Sequence, residues 1–377
     1  MKKIIMAEFN EFNSTFKLGD HHYAKQFAQN GYEVLWLSPV YNHLFYFKNK
    51  KLYKQRESLH NNSFIKFDDN IYGYAPYSPV LYGKMPILDS KVAGELSIKW
   101  SIPNLFNVLN KNRFLNVDIL WLTNPKYYYL TNKIKYKKMF YRCADDLSGF
   151  DNTFNSFHKF EEKIIKNSDE VFITSRELLE RKKYLRDDFV YLPNGVDINS
   201  FTKKEYILPD EFLNDKNKKC IYVGAIETWF DIKLVKFCAE KLSNISFYII
   251  GPIKINIDEL RSLKNVFLLG KKDYKDIPNY IYFSDVGVIP FKVSKLTDSV
   301  SPIKLYEYMS VGLNVVSTNF KEMQYINSPA YVAKDYDEFC SDIEQAIENK
   351  KEDKEKNIQF AKENTWGKRF EVIKSFI

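Results

Sequence analysis

Ser301-Pro302-Ile303-Lys304-Leu305-Tyr306-Glu307-Tyr308-Met309-Ser310-Val311-Gly312-Leu313-Asn314-Val315-Val316-Ser317 reads as an amphipathic helix with a proline in its first turn, a glycine at its end and a β-branched strand directly after. A helix start carries unpaired N–H groups and partial positive charge, so an anion can rest there. Lys304 adds a full charge, and Glu307 offers acceptors to neutral hydroxyls. Together with Ser301 at the helix start, this is chemistry suited to a nucleotide diphosphate and its ribose. The plainer alternative is an ordinary βα unit with Lys304 solvated and Glu307 in a surface ion pair.

At 377 residues the chain exceeds one typical core, and two α/β domains are expected. Charged residues make up 28% and hydrophobic ones 45%, the balance of a folded chain rather than a disordered one. Cys143, Cys220, Cys238 and Cys340 are widely spaced with no paired metal-ligand pattern, and the N-terminal Lys2-Lys3-Ile4-Ile5-Met6-Ala7 is a first strand rather than a signal peptide. A reducing, cytoplasmic setting is the expectation. No apolar run has the length to span a bilayer.

Short buried strands alternate with helical patterns, which predicts parallel sheets built from βαβ units. In the first half the strands are 3–7, 33–38, 118–123, 138–144 and 170–174, with a helix through Tyr23 that ends at Gly31. Residues 42–101 read as an irregular, aromatic-rich excursion serving binding, or as a plain surface loop. The pattern breaks at Tyr191-Leu192-Pro193-Asn194-Gly195-Val196-Asp197, where we place a domain boundary. Strands then resume at 219–224, 246–251, 266–269, 286–290 and 314–317, with helices starting near Asp231, Ile257, Ile277 and Pro302. The charged run 350–356 reads as a solvated helix face.

Three segments carry a family resemblance. The 301–317 stretch resembles the donor-binding signature of GT-B glycosyltransferases of the group-1 kind, the Pro193–Asp197 phrase followed by Phe201 resembles their interdomain linker, and Glu363-Asn364-Thr365-Trp366 resembles their terminal segment. The resemblance implies two doubly wound Rossmann-like domains facing a central cleft: an acceptor domain over 1–200, completed by 364–377 crossing back, and a donor domain over 201–363. It also implies a nucleotide-sugar donor, UDP-sugar first, with no further cofactor. No metal is expected at the diphosphate, because Lys304, the helix end and backbone amides supply the positive field. Bacterial capsule, exopolysaccharide or other surface-glycan assembly is the implied setting.

A diphosphate cradle is expected at the carboxyl ends of the strands of such a domain. Gly224, leaving a strand for a helix, would let backbone approach a phosphate beside Lys304, although a tight turn explains a lone glycine equally. In similar enzymes the loop holding Gly270 and Lys271 carries the base, and Glu307 takes the ribose hydroxyls. Retaining group-1 members carry an earlier glutamate that falls here at Ser299, beside Asp298, so the resemblance tilts towards inversion.

An inverting enzyme needs a general base for the acceptor hydroxyl. Tyr141-Arg142-Cys143-Ala144-Asp145-Asp146-Leu147-Ser148-Gly149-Phe150 ends a strand in two carboxylates and resembles the equivalent motif of xanthan-type glucuronosyltransferases. One aspartate should serve the acceptor and the other cap the next helix; Asp145 is the expected base, with capping by both as the alternative. His21, with His22, follows Gly19-Asp20 in the first βα loop and is the rival base.

A net charge of +8 with 27 tyrosines and 30 phenylalanines suits an anionic membrane face or nucleic acid. No nucleic-acid-binding signature accompanies it. The stretches Lys126–Leu130 with Lys133, Lys135, Lys137 and Lys138, and Lys48–Lys54, are the candidates for peripheral contact at the inner membrane face, where a lipid-linked glycan acceptor would be presented. A sugar-nucleotide epimerase and a non-catalytic sugar-nucleotide-binding subunit are the competing readings of the whole chain.

Overall fold

The computed structural model describes residues 1–14, 17–61, 64–149 and 153–377. They form two compact units: Met1–Thr174 with Leu178–Leu192 and Val372–Ile377, and Ser175–Glu177 with Pro193–Glu371.

The first unit is built on an eight-stranded sheet. Its strands are β1 (Lys2–Ala7), β2 (Tyr32–Leu37), β3 (Ile65–Asp68), β4 (Ile71–Tyr74), β5 (Asn116–Leu122), β6 (Lys135–Cys143), β7 (Glu170–Ile173) and β8 (Val190–Tyr191), in the order β3-β4-β2-β1-β5-β6-β7-β8. All neighbours are parallel except β3 and β4. Helices cover both faces of such a sheet, so its central strands are apolar along their whole run. Ile4 to Ala7, Val34 to Leu37 and Ile119 to Leu122 are accordingly buried. The order reverses between β1 and β5, which opens a crevice at their carboxyl ends.

Residues 42–101 are more regular than their composition predicted. They hold helices Leu44–Lys48, Lys50–Asn61 and Lys91–Lys99 and the β3–β4 hairpin. Tyr72-Gly73-Tyr74, within that expected irregular stretch, lies in a strand paired to β2, with Tyr74 buried. Gly73 is needed there because a Cβ would fall 2.0 Å from the Phe67 ring.

The second unit carries β9 (Lys218–Val223), β10 (Ile245–Ile250), β11 (Val266–Gly270), β12 (Val286–Ile289), β13 (Val315–Thr318) and β14 (Tyr331–Ala333), all parallel, in the order β11-β10-β9-β12-β13-β14. Its reversal point lies between β9 and β12. The helix Ile303–Ser310 enters from Pro302 and ends before Gly312, whose φ of 81° suits a residue without a side chain. β14 had no sequence signal, being three residues long. Lys350–Asp353 is a turn rather than helix, and the helix begins at Lys354. Among the described residues no helix is long and apolar enough to cross a membrane.

Candidate functional site

In the second unit the carboxyl ends of three neighbouring strands meet through glycines. The Gly224 N–H donates to Ile250 O at 2.8 Å, and the Gly251 N–H to Gly270 O at 2.8 Å. A Cβ on Gly251 would fall 1.8 Å from Gly224 O, so the β9 and β10 ends touch only because Gly251 lacks a side chain. Gly270, at φ 65°, has open space where a side chain would stand. Gly251 was read only as a strand end; a glycine directly after an apolar strand was the available signal.

Lys304 leans over this rim. Its ammonium lies 5.4 Å from the Tyr222 ring centroid and 4.6 Å from that of Phe291, the residues ending β9 and following β12, so the charge stands at the reversal point of the sheet. A Cβ on Gly224 would be 3.3 Å from Lys304 Cε. Desolvation pulls the ammonium down to about 8, opposed by Glu307. One helical turn on, Glu307 is half-buried and accepts a hydrogen bond of 2.9 Å from the Tyr274 hydroxyl. Burial raises its carboxyl to about 7 against that bond and the Lys304 charge. An acid and a base are thus held in an environment that favours neither charge, as expected where a charged, hydroxyl-bearing ligand completes the site.

The remaining donor-side candidates take other positions. Ser301 is buried, and its Oγ accepts from the Asn194 N–H at 3.0 Å while its carbonyl accepts from Asn194 Nδ2 at 2.7 Å. It clasps the Pro193–Asp197 segment to the helix start. Lys271 is exposed, whereas its neighbour Lys272 pairs with Glu211. Ser299 is buried and caps back to Lys295 O at 3.4 Å.

In the first unit Asp145 and Asp146 diverge as adjacent residues at a strand end should. Asp146 Oδ1 accepts from the Ser148 N–H and Oγ, and Oδ2 from Arg181 at 2.7 Å. Burial would raise its carboxyl, but these bonds hold it below the usual range. Asp145 has a solvent-accessible side chain, yet desolvation by the protein around it raises its carboxyl, opposed by Arg142 and assisted by Asp20 and Asp146. Phe150 lies outside the described residues.

His21 is 2% exposed, and both ring nitrogens are engaged. Nδ1 accepts from the Leu18 N–H at 3.1 Å, which leaves Nε2 to donate to Glu11 O at 3.0 Å. Burial lowers its pKa to about 4, so it is a neutral cap of helix Gly19–Gln29. That geometry withdraws His21 from proton transfer to a substrate.

Sequence reasoning missed the charges beneath Asp145. Arg142 donates to Asp20 at 2.9 Å, Trp121 Nε1 donates to the other Asp20 oxygen at 3.1 Å, and all three are buried. Glu8, directly after β1, is 2% exposed, and burial followed by Asp20 pushes its carboxyl well above the ordinary range. A polar residue directly after an apolar strand, as at Glu8, was the signal. Of the proposed membrane stretches, Tyr127 and Leu130 are core residues, while Lys48, Lys50, Lys51 and Lys54 are exposed.

Residues 203–364 match the family model "Glycosyl transferases group 1". TuaH of Bacillus subtilis (strain 168), provisionally named as a teichuronic acid biosynthesis glycosyltransferase, is 27% identical over 229 residues. That match spans 56% of this chain and 57% of TuaH, little more than half of either. Sucrose-phosphate synthase from Thermosynechococcus elongatus superposes with a TM-score of 0.70 at 12% identity, over 100% of this chain and 98% of that one. HepE of Anabaena, solved in complex with UDP and glucose, gives 0.67 at 12% identity, over 100% and 99%. Residues 203–364 thus resemble the group-1 glycosyltransferases, in a chain whose fold is GT-B.

Proposed function

We propose that the chain transfers a sugar from a nucleoside-diphosphate sugar, a UDP-sugar first, to a hydroxyl of a lipid-linked glycan during assembly of a bacterial surface polysaccharide. The observation that carries this is the standing of Lys304 over the Gly224 rim with Glu307 one turn away. Lys304 and the strand-end amides receive the charge that grows on the departing diphosphate, and Glu307 takes ribose hydroxyls. Asp145 accepts the proton of the attacking acceptor hydroxyl as the new C–O bond forms and the donor's C–O bond breaks. The absence of a glutamate at Ser299 favours inversion, and no metal is invoked because Lys304 supplies the counter-charge. The teichuronic acid assignment of TuaH supports a surface polysaccharide, and the UDP complexes of HepE support the donor class.

Thermal stabilisation by a panel of nucleoside diphosphates and their sugars tests the reading, since a ligand bound only by the folded state raises its melting temperature. UDP should give most of the shift of its sugars. A panel with no response would overturn the donor assignment. Product formed from donor without acceptor would favour the epimerase instead.

A further inference from the structure

We propose that Lys126 is the centre of a second anion site, which takes the phosphate or diphosphate group of the acceptor substrate. The inference rests on the glycosyl-transfer reading and names the chemistry of its acceptor.

Lys126 follows β5 at the point where the order of the first sheet reverses, the place where doubly wound sheets bind ligands. Its ammonium lies 5.6 Å from the Tyr82 ring centroid and 5.7 Å from that of Phe154. Tyr82 and Phe154 belong to one apolar cluster with Phe9, two residues past β1, and with Leu147, two residues past Asp145. Lys126 and Asp145 thus both follow neighbouring strands, β5 and β6, at the same edge of the sheet, and the rings under the lysine share a cluster with Leu147.

Among the described residues, the Lys126 ammonium has neither a hydrogen-bond acceptor nor an ion-pair partner. Aromatic faces satisfy part of a cation's field but accept none of its three N–H donors in the way an oxygen does. The charges that act on it are Arg56 and Lys48, both positive. Arg56 is matched by the buried Glu11 at 2.6 Å, which leaves Lys126 and Lys48 in excess. One uncompensated cation beside aromatic rings, with a second acting on it, suits a multiply charged phosphate better than a single carboxylate. Desolvation lowers the Lys126 amine to about 8, so it keeps its proton at neutral pH and gains most from an arriving anion.

The test uses the full chain labelled with 13C at lysine Cε and saturated with UDP, so that the Lys304 site is filled. Inorganic pyrophosphate, glucose 1-phosphate and geranyl diphosphate are then added in turn, with geraniol as the uncharged control. The Lys126 resonance, assigned by its loss in K126M, should move its titration midpoint up by at least about one pH unit with the phosphates and not with geraniol. Pyrophosphate affinity should fall at least tenfold in K126M and be retained in K126R, with UDP affinity unchanged in both. Tighter binding of geranyl diphosphate than of glucose 1-phosphate supports a lipid carrier, and the reverse supports a soluble sugar phosphate as the source. A wild-type Lys126 midpoint that stays fixed with all three phosphates at millimolar concentration overturns the site, without recourse to any variant. A failure of UDP to move Lys304 strikes the donor reading instead.

Discussion

Tyr274 donates its hydroxyl proton to Glu307, Oη to Oε1 at 2.9 Å, and joins the loop after β11 to the helix that carries Lys304. On the proposed reading both groups face the nucleoside. Y274F should weaken UDP binding about fivefold to tenfold, the worth of one ordinary hydrogen bond, as read by calorimetry.

Glu307 also ties stability to pH. Its carboxyl titrates at about 7 in the fold against an ordinary 4.5, so between those values the folded state binds the extra proton. The contribution is fully present below the lower value and is lost as pH rises through the upper one. E307Q removes this dependence. Without nucleotide it should melt roughly 2 °C or more above wild type at pH 8, with the gap closing at pH 5. Its UDP affinity should fall at both pH values, and a variant that melts below wild type at pH 8 would contradict the account.

Lys304 should dominate diphosphate affinity. K304M is expected to lose about tenfold to a hundredfold in UDP binding by calorimetry, the scale of a charge-assisted contact with phosphate. The fold itself should be no less stable, because the substitution withdraws a cation that burial already disfavours.

The two aspartates should separate cleanly. D145N should lower turnover by about a hundredfold to ten-thousandfold while UDP affinity holds. D146N should act on stability, because it breaks the contacts to Ser148 and Arg181, and a lower melting temperature is the measurement. H21A should likewise lower the melting temperature through loss of the Leu18 and Glu11 contacts. Turnover of H21A per folded molecule should stay within a few-fold of wild type.

G251A should fail structurally. Its methyl group would overlap the Gly224 carbonyl at 1.8 Å, and backbone cannot yield as a flexible side chain can. Lower soluble yield and loss of UDP response are expected, whereas G270A, with open space around it, should fold and suffer only the strain of its φ of 65°.

The central strands were legible because parallel strands buried on both faces are unbroken apolar runs, as in Ile4-Ile5-Met6-Ala7 and Phe247-Tyr248-Ile249-Ile250. β3 and β14 were not, since an exposed four-residue edge and a three-residue strand give no period to read. On the donor side, Lys304 and Glu307 share one helix face, so their spacing alone brings them near each other. The Glu8, Asp20, Arg142 and Trp121 assembly was invisible because its members come from four separate segments and meet only when the sheet closes. Ser301 and His21 read as functional because polar residues at loop ends look alike in sequence. Their hydrogen bonds to backbone appear only in three dimensions.

Gly224, Gly251 and Gly270 leave a rim made of main-chain amides and carbonyls. Peptide groups are the same whatever side chains flank them, so a replacement that leaves the backbone course intact leaves the donors and acceptors of this rim in place.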